Sequence, residues 1–197
     1  MTNSDLTWER VSSEYGDDLI LFRTRFDQMR HPISREVLKR LVLESVDWVN
    51  LVAITRDGRS VMVRQHRFGV GYPTLETPGG MVDAGEDSLT AARRELKEET
   101  GYTGGRWRYL GAVEPNPAIH DHFCHHWLAE DVEQTHAQET GGGEHIAVEL
   151  LAEADIVTAV RGGEIRHALA LSALSRVYEL WPRPFLHADI PNRGSVA

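Results

Sequence analysis

Three scarcities narrow the field before any motif is read. The 197-residue chain has one cysteine, Cys124. No intrachain disulfide can form, so a reducing compartment is expected. No apolar run approaches the roughly 18 residues of a membrane span, and the opening MTNSDLTWER lacks the apolar stretch of a signal peptide. Both point to a cytoplasmic protein without a membrane partner. Cations are also few: 21 Lys and Arg stand against 30 Asp and Glu, a net charge of −9, which argues against sequence-independent binding to a nucleic-acid backbone. Internal repeats and low-complexity tracts are missing as well. What is present, 41% apolar residues, suffices for one packed domain with appendages.

The stretch GMVDAGEDSLTAARRELKEETGY, from Gly80 to Tyr102, organises the chain. Asp87 is placed to cap, and Gly101 to end, a helix over Ser88–Thr100. Leu89, Ala92 and Leu96 form its core stripe. Glu95, Glu98 and Glu99, three and four apart, share the neighbouring face. Carboxylates that close repel one another unless a cation sits between them. Hard divalent cations with oxygen ligands, Mg²⁺ above all, meet that need. The plainer alternative is a solvated helix whose Arg93, Arg94 and Lys97 pair with the acids. The glycine-rich entry, with Glu86 at its spacing, favours the metal.

Gly80, Glu86, Arg94, Glu95, Glu98, Glu99 and Gly101 all fall on the fixed positions of the Nudix box, and the stretch therefore resembles the signature of Nudix hydrolases. At residue frequencies of roughly one in fourteen, such a match arises by chance with a probability on the order of 10⁻⁸ per start position. Tyr102 departs from the pattern, where a small aliphatic residue is more usual. The resemblance implies an α+β fold, the Nudix α/β/α sandwich with a mixed central sheet, over residues 45–180. A small antiparallel β-sheet unit would precede it over 1–44, and a tail would follow over 181–197.

The N-terminal unit reads as strands Thr7–Ser12 and Leu19–Phe26, joined by a turn at Tyr15-Gly16-Asp17-Asp18, with a third extended run over Glu36–Leu43. Two or three strands alone are marginal, so they must pack on something. The resemblance implies exchange between two subunits, hence a homodimer. Trp48–Thr55 and Ser60–His66 form a hairpin around Arg56–Arg59. Gly69–Gly85 reads as loop, Arg106–Val113 and Phe123–Ala129 as strands, and Asp131–His145, with its Gly141–Gly143 run, as a polar loop. A strand follows over Ile146–Leu151. Helices follow over Glu153–Val160 and Glu164–Leu180, the second with Leu169, Ala173, Val177 and Leu180 at core spacing.

The run from His120 to His126 invites a zinc site. Zinc ligands usually need two to four intervening residues and a second pair elsewhere, and a strand here would split the histidines between two faces. His120 or Asp121 stays a candidate for lining a substrate cleft.

Gln65-His66-Arg67, the entry Leu75–Gly80, and Pro117, sixteen residues past Gly101, are similar to the ADP-ribose and nucleoside diphosphate sugar pyrophosphatase branch. This likeness implies substrate binding by Arg67, Glu76, Trp48 and Pro117. It implies metal binding by Gly79 (through its carbonyl), Glu95, Glu98, Glu99 and Glu144. Catalysis would fall to Glu98 and to a loop glutamate, Glu144 or alternatively Glu139. Glu86 would anchor the loop, with Arg94 as its partner. The implied activity is hydrolysis of the diphosphate of ADP-ribose or a nucleoside diphosphate sugar with Mg²⁺, or alternatively Mn²⁺, to a nucleoside monophosphate and a sugar phosphate. Alternatives are a Nudix enzyme for GDP-mannose, dinucleoside polyphosphates, NADH or nucleoside triphosphates, and a Nudix-fold regulator without catalysis, against which the intact box argues.

Overall fold

Ten strands and three helices form within residues 6–139, 141 and 145–181, the part of the chain that the computed structural model describes. They fall into two units: the chain up to Val46 with Glu114–Phe123, and Asp47–Val113 with the chain from Cys124 onward. No helix among the described residues is long and apolar enough to cross a membrane.

The first unit is an antiparallel sheet of β1 (Glu9–Asp18), β2 (Arg23–Arg30) and β3 (Val37–Glu44), in that order. The turn between β1 and β2 lies at Leu19–Phe22, where the Leu19 N–H donates to the Phe22 carbonyl at 2.7 Å, and not at Tyr15–Asp18 as the sequence suggests. The reason is Gly16. A Cβ there would stand 2.5 Å from Thr24 Oγ1, so this glycine lets two strands approach inside a bulged ladder. Buried Asp27 accepts from Ser13 Oγ (2.6 Å) and Arg25 Nε (3.0 Å), which ties β1 to β2. Burial alone would raise its pKa, but these donors outweigh that and hold it below its ordinary value.

The second unit is built on a seven-stranded mixed sheet. Its path runs through β10 (Ile146–Leu151), β5 (Ser60–Arg67), β4 (Trp48–Thr55), β9 (Cys124–Gln134) and β8 (Tyr102–Val113). Only β4 and β9 run parallel. β4 and β5 pair only near their shared turn, at Ala53–Val61 and Ile54–Ser60. Beyond it they part, and β6 (Tyr72–Glu76) takes the free edge of β5 while β7 (Gly79–Met81) takes that of β4. The stretch expected to be loop thus holds two short strands, recruited by backbone groups that would otherwise lack partners.

Alternation along the central strands feeds two cores. Val49, Leu51, Ala53 and Val61 pack with Ala91, Ala92 and Leu96 of α1 (Ser88–Thr100). Val52, Met62 and Leu128 pack with Ile156 and Val160 of α2 (Glu153–Arg161) and Ala170, Ala173 and Leu174 of α3 (Ala168–Leu174). The expected layered sandwich is present. The last helix is much shorter than Glu164–Leu180. After Leu174 the chain tightens, with Val177 N–H bonding to Leu174 O three residues back. Before the helix, Ile165 enters the core from an extended stretch. Apolar spacing alone does not register either break.

Candidate active site

The caps of α1 are those its sequence specifies. Asp87 accepts from the N–H groups of Leu89 (2.9 Å) and Thr90 (3.0 Å), and Gly101, left-handed at φ 74°, closes the helix onto Lys97 O. Burial of Ala91, Ala92 and Leu96 fixes the rotation of the helix. Glu95 and Glu99 thereby face β7, and Glu98 lies one turn along from Arg94, which bonds it.

The glycines of β7 make that approach possible. A Cβ on Gly79 would run into Val49 O and stand 2.9 Å from Asn50 Cα; one on Gly80 would lie within the Glu95 carboxylate, 2.5 Å from its Cδ. The Gly79 N–H donates to Glu99 Oε2 at 3.0 Å. Glu99 is buried and Glu95 nearly so, while the Glu98 side chain is 40% exposed.

Arg94 binds this assembly together. Its guanidinium reaches Glu86 (3.2 and 3.0 Å), Met81 O (2.8 Å), Glu95 (2.8 Å) and Glu98 (3.3 Å). The Asp83 N–H closes the loop onto Glu86 at 3.2 Å. The Arg94 bond is the main reason the Glu86 carboxyl titrates below its usual value, and the same pairing raises the Arg94 pKa. Of the three helix cations, Arg94 bonds Glu86, Glu95 and Glu98. Arg93 lies over the Trp107 ring and Lys97 meets Glu139 at 3.1 Å.

Among the described residues, no three acids, histidines or cysteines form a ready-made metal cage. The cause is visible: Arg94 occupies the space between Glu95 and Glu98, and Glu99 turns to Gly79. The donor set nevertheless fits a hard divalent cation. Glu95 and Glu99 meet a backbone stretch kept bare of side chains, Glu98 is joined to Glu95 through Arg94, and carboxylates this close favour a cation among them.

The remaining candidates sort by place. Arg67 and Glu76 form a bidentate pair at 2.9 and 2.8 Å. Glu76 is only 1% exposed, and Thr74 and His167 also engage it. Burial would raise its pKa, but Arg67 foremost, then His167 and Thr74, hold it low. Trp48 opens β4, in register with Met81 and Cys124. Pro117 belongs to the first unit. The Glu139 N–H bonds Glu98 O at 2.8 Å, just past the end of α1. Glu144 lies outside the described residues.

β9 divides His125 from His126 as alternation predicts, but His120 and His122 precede the strand. His120 and His122 stack at 5.2 Å in the first unit, with Phe22 against them. Asp121 accepts from the Ser45 N–H at 3.3 Å. His125 bridges Tyr109 (2.9 Å) and Asp47 (3.0 Å). His126 is fully buried against Ser172 at 3.0 Å, and burial pushes its pKa down to about 4.

Sequence reasoning missed His167 and Thr74 around Glu76, and the buried Asn50–Thr77 bond (2.6 Å) behind Gly79. His167 carries no local signal, because only the fold brings it to β6.

The NUDIX domain profile matches residues 47–171. The chain is 29% identical to the ADP-ribose pyrophosphatase of Mycobacterium tuberculosis over 184 residues, 90% of this chain and 88% of that one. It is 34% identical to the ADP-ribose pyrophosphatase of Bacillus subtilis over 94 residues, about half the length of each. The crystal structure of an ADP compounds hydrolase superposes with a TM-score of 0.76 at 20% identity, covering 87% of this chain and 92% of that one.

Proposed function

The chain belongs to the Nudix family, and from that premise we propose that it is a Mg²⁺-dependent pyrophosphatase acting on ADP-ribose or a nucleoside diphosphate sugar. The products would be a nucleoside monophosphate and a sugar phosphate. The observation that carries the reading is the approach of Glu95 and Glu99 to the bare backbone of Gly79 and Gly80, with Glu98 joined to Glu95 through Arg94. The substrate class is supported by the M. tuberculosis relative, whose likeness runs through nine-tenths of this chain.

Glu95, Glu98 and Glu99, with the Gly79 carbonyl, would hold the metal. A divalent ion held there would offset diphosphate charge and make a bound water a better nucleophile. The rest of the work belongs to the chain. Arg94 and Glu86 clamp the loop that carries Gly80, so the carboxylates meet a fixed backbone. The Gly79 N–H donates to Glu99 and orients its carboxylate. Arg67, its Nε and one terminal nitrogen held by buried Glu76, would reach a phosphate oxygen through its remaining N–H donors. A loop glutamate, Glu144 or else Glu139, would take the proton of the attacking water as its oxygen bonds to phosphorus and the bridging P–O bond breaks.

Turnover of ADP-ribose, ADP-glucose, GDP-mannose, NADH and diadenosine polyphosphates, measured side by side, tests the substrate class. ADP-ribose or an ADP-sugar should give the highest kcat/KM. Preference for NADH or a dinucleoside polyphosphate would overturn this assignment.

A further inference from the structure

A second face of α1 lines a hollow of about 430 Å³ that the proposed reaction leaves unused. Thr90, Arg93 and Lys97 form one wall; Thr103, Gly104 and Trp107 of β8 form the other. Arg94 also lines it, but its guanidinium nitrogens are committed to the loop and the carboxylates. The volume lies in the range of small-molecule sites, about 300–1,000 Å³.

Its lining is basic or neutral, with Asp87 bonded to Thr90. None of the described lining residues is acidic, in a chain whose net charge is −9. Arg93 and Lys97 stand four apart, a like-charge spacing that disfavours a helix unless something offsets it. The Lys97–Glu139 pair joins side chains 36% and 56% exposed, so solvent screens it. The Arg93 guanidinium lies 5.6 Å from the Trp107 ring centroid, near the outer limit of about 6 Å for a cation–π contact. Its hold on the ring is therefore loose. The indole is fixed by its own N–H, which donates to Gly104 O at 2.8 Å. Gly104 is left-handed at φ 76°, and a Cβ there would meet nothing within 4 Å, so the wall beside the ring is open.

We propose that this hollow binds a phosphomonoester bearing a flat ring, a nucleoside monophosphate. The phosphate would sit between Arg93 and Lys97 and the base against Trp107, where base–aromatic stacking adds to the charge attraction. The site requires no metal. The proposal is independent of the reaction proposed above, because none of the box carboxylates takes part.

Calorimetric titration of the full chain with AMP in EDTA, followed in parallel by the Trp107 indole N–H resonance, tests it. AMP should bind and shift that resonance. The double variant Arg93→Gln/Lys97→Gln should weaken binding by about tenfold or more, as expected for losing both charge-assisted contacts to a phosphate. Glu98→Gln should leave binding unchanged. Adenosine and inorganic phosphate should each bind at least about tenfold more weakly than AMP, since each keeps one half of the recognition. Absence of AMP binding would overturn the proposal, as would binding that survives the double variant or that Glu98→Gln removes. Inorganic phosphate binding as tightly as AMP would overturn the nucleotide assignment.

Discussion

Replacing Gly80 by alanine tests the approach of α1 to β7 at a single carbon atom. Gly80 does not adopt positive φ, so alanine brings no backbone strain. Its Cβ, however, would fall within the Glu95 carboxylate, 2.5 Å from Cδ, where an ordinary contact begins at 3.4 Å. The carboxyl carbon must therefore retreat by about 0.9 Å. A displacement of about 1 Å in a positioned catalytic group costs on the order of 10²-fold in rate. The obstacle is a side-chain tip that can swing away, so stability should change by less than about 1 kcal/mol, or about 2–4 °C in Tm for a chain of this size. Gly79→Ala is the contrast. Its Cβ meets Val49 O and Asn50 Cα, backbone of a central strand that cannot yield, and overpacking of that kind costs about 3 kcal/mol. That corresponds to a Tm lowered by about 6–12 °C. Steady-state kinetics with ADP-ribose and a thermal melt on both variants give the readout. Wild-type turnover by Gly80→Ala would refute the placement of Glu95, and an unchanged Tm in Gly79→Ala would refute the packing of β7 on β4.

Glu98→Gln and Glu99→Gln should each lower turnover by about a hundredfold or more with the circular dichroism spectrum unchanged; near-native rates in both would remove the metal assignment. Glu144→Gln should lower kcat by about a hundredfold while moving KM much less, and Glu139→Gln should do less; the reverse order in kinetics would transfer the proton-accepting role to Glu139. His126 titrates at about 4 in the fold against 6.5 unfolded, so below pH 6.5 the unfolded chain takes up the proton first. The stability it contributes is complete above 6.5 and is lost as pH falls toward 4, by about 3 kcal/mol in total. Urea unfolding at stepped pH should show His126→Gln with a shallower slope than wild type across that window, and parallel slopes would contradict the burial of His126.

What the sequence made legible was local or periodic. Asp87 and Gly101 bracket α1 because capping depends on neighbours a few residues away, and the near-continuous apolar run of Trp48–Thr55 follows from a strand buried on both faces. Gly16 misled because the same residue serves a turn or a close strand approach, and only the position of Thr24 distinguishes them. The run Leu169, Ala173, Val177 and Leu180 has helical spacing, yet the chain leaves the helix at Leu174 and still delivers Leu180 to the core. The carboxylate face was readable from spacing and the Glu86–Arg94 pair from the resemblance, but the parts of Arg93 and Lys97 were not. They depend on Trp107 and Glu139, which the fold supplies from two other segments.

The central claim is metal-assisted cleavage of an ADP-linked diphosphate at the face formed by Glu95, Glu98 and Glu99. Its most direct test is ADP-ribose incubated with the protein in Mg²⁺ and in EDTA, with the products resolved by chromatography. With Mg²⁺, AMP and ribose 5-phosphate should form in equal amounts, and in EDTA turnover should cease. Equal rates in both, or no cleavage of ADP-ribose or any ADP-sugar in either, would contradict it.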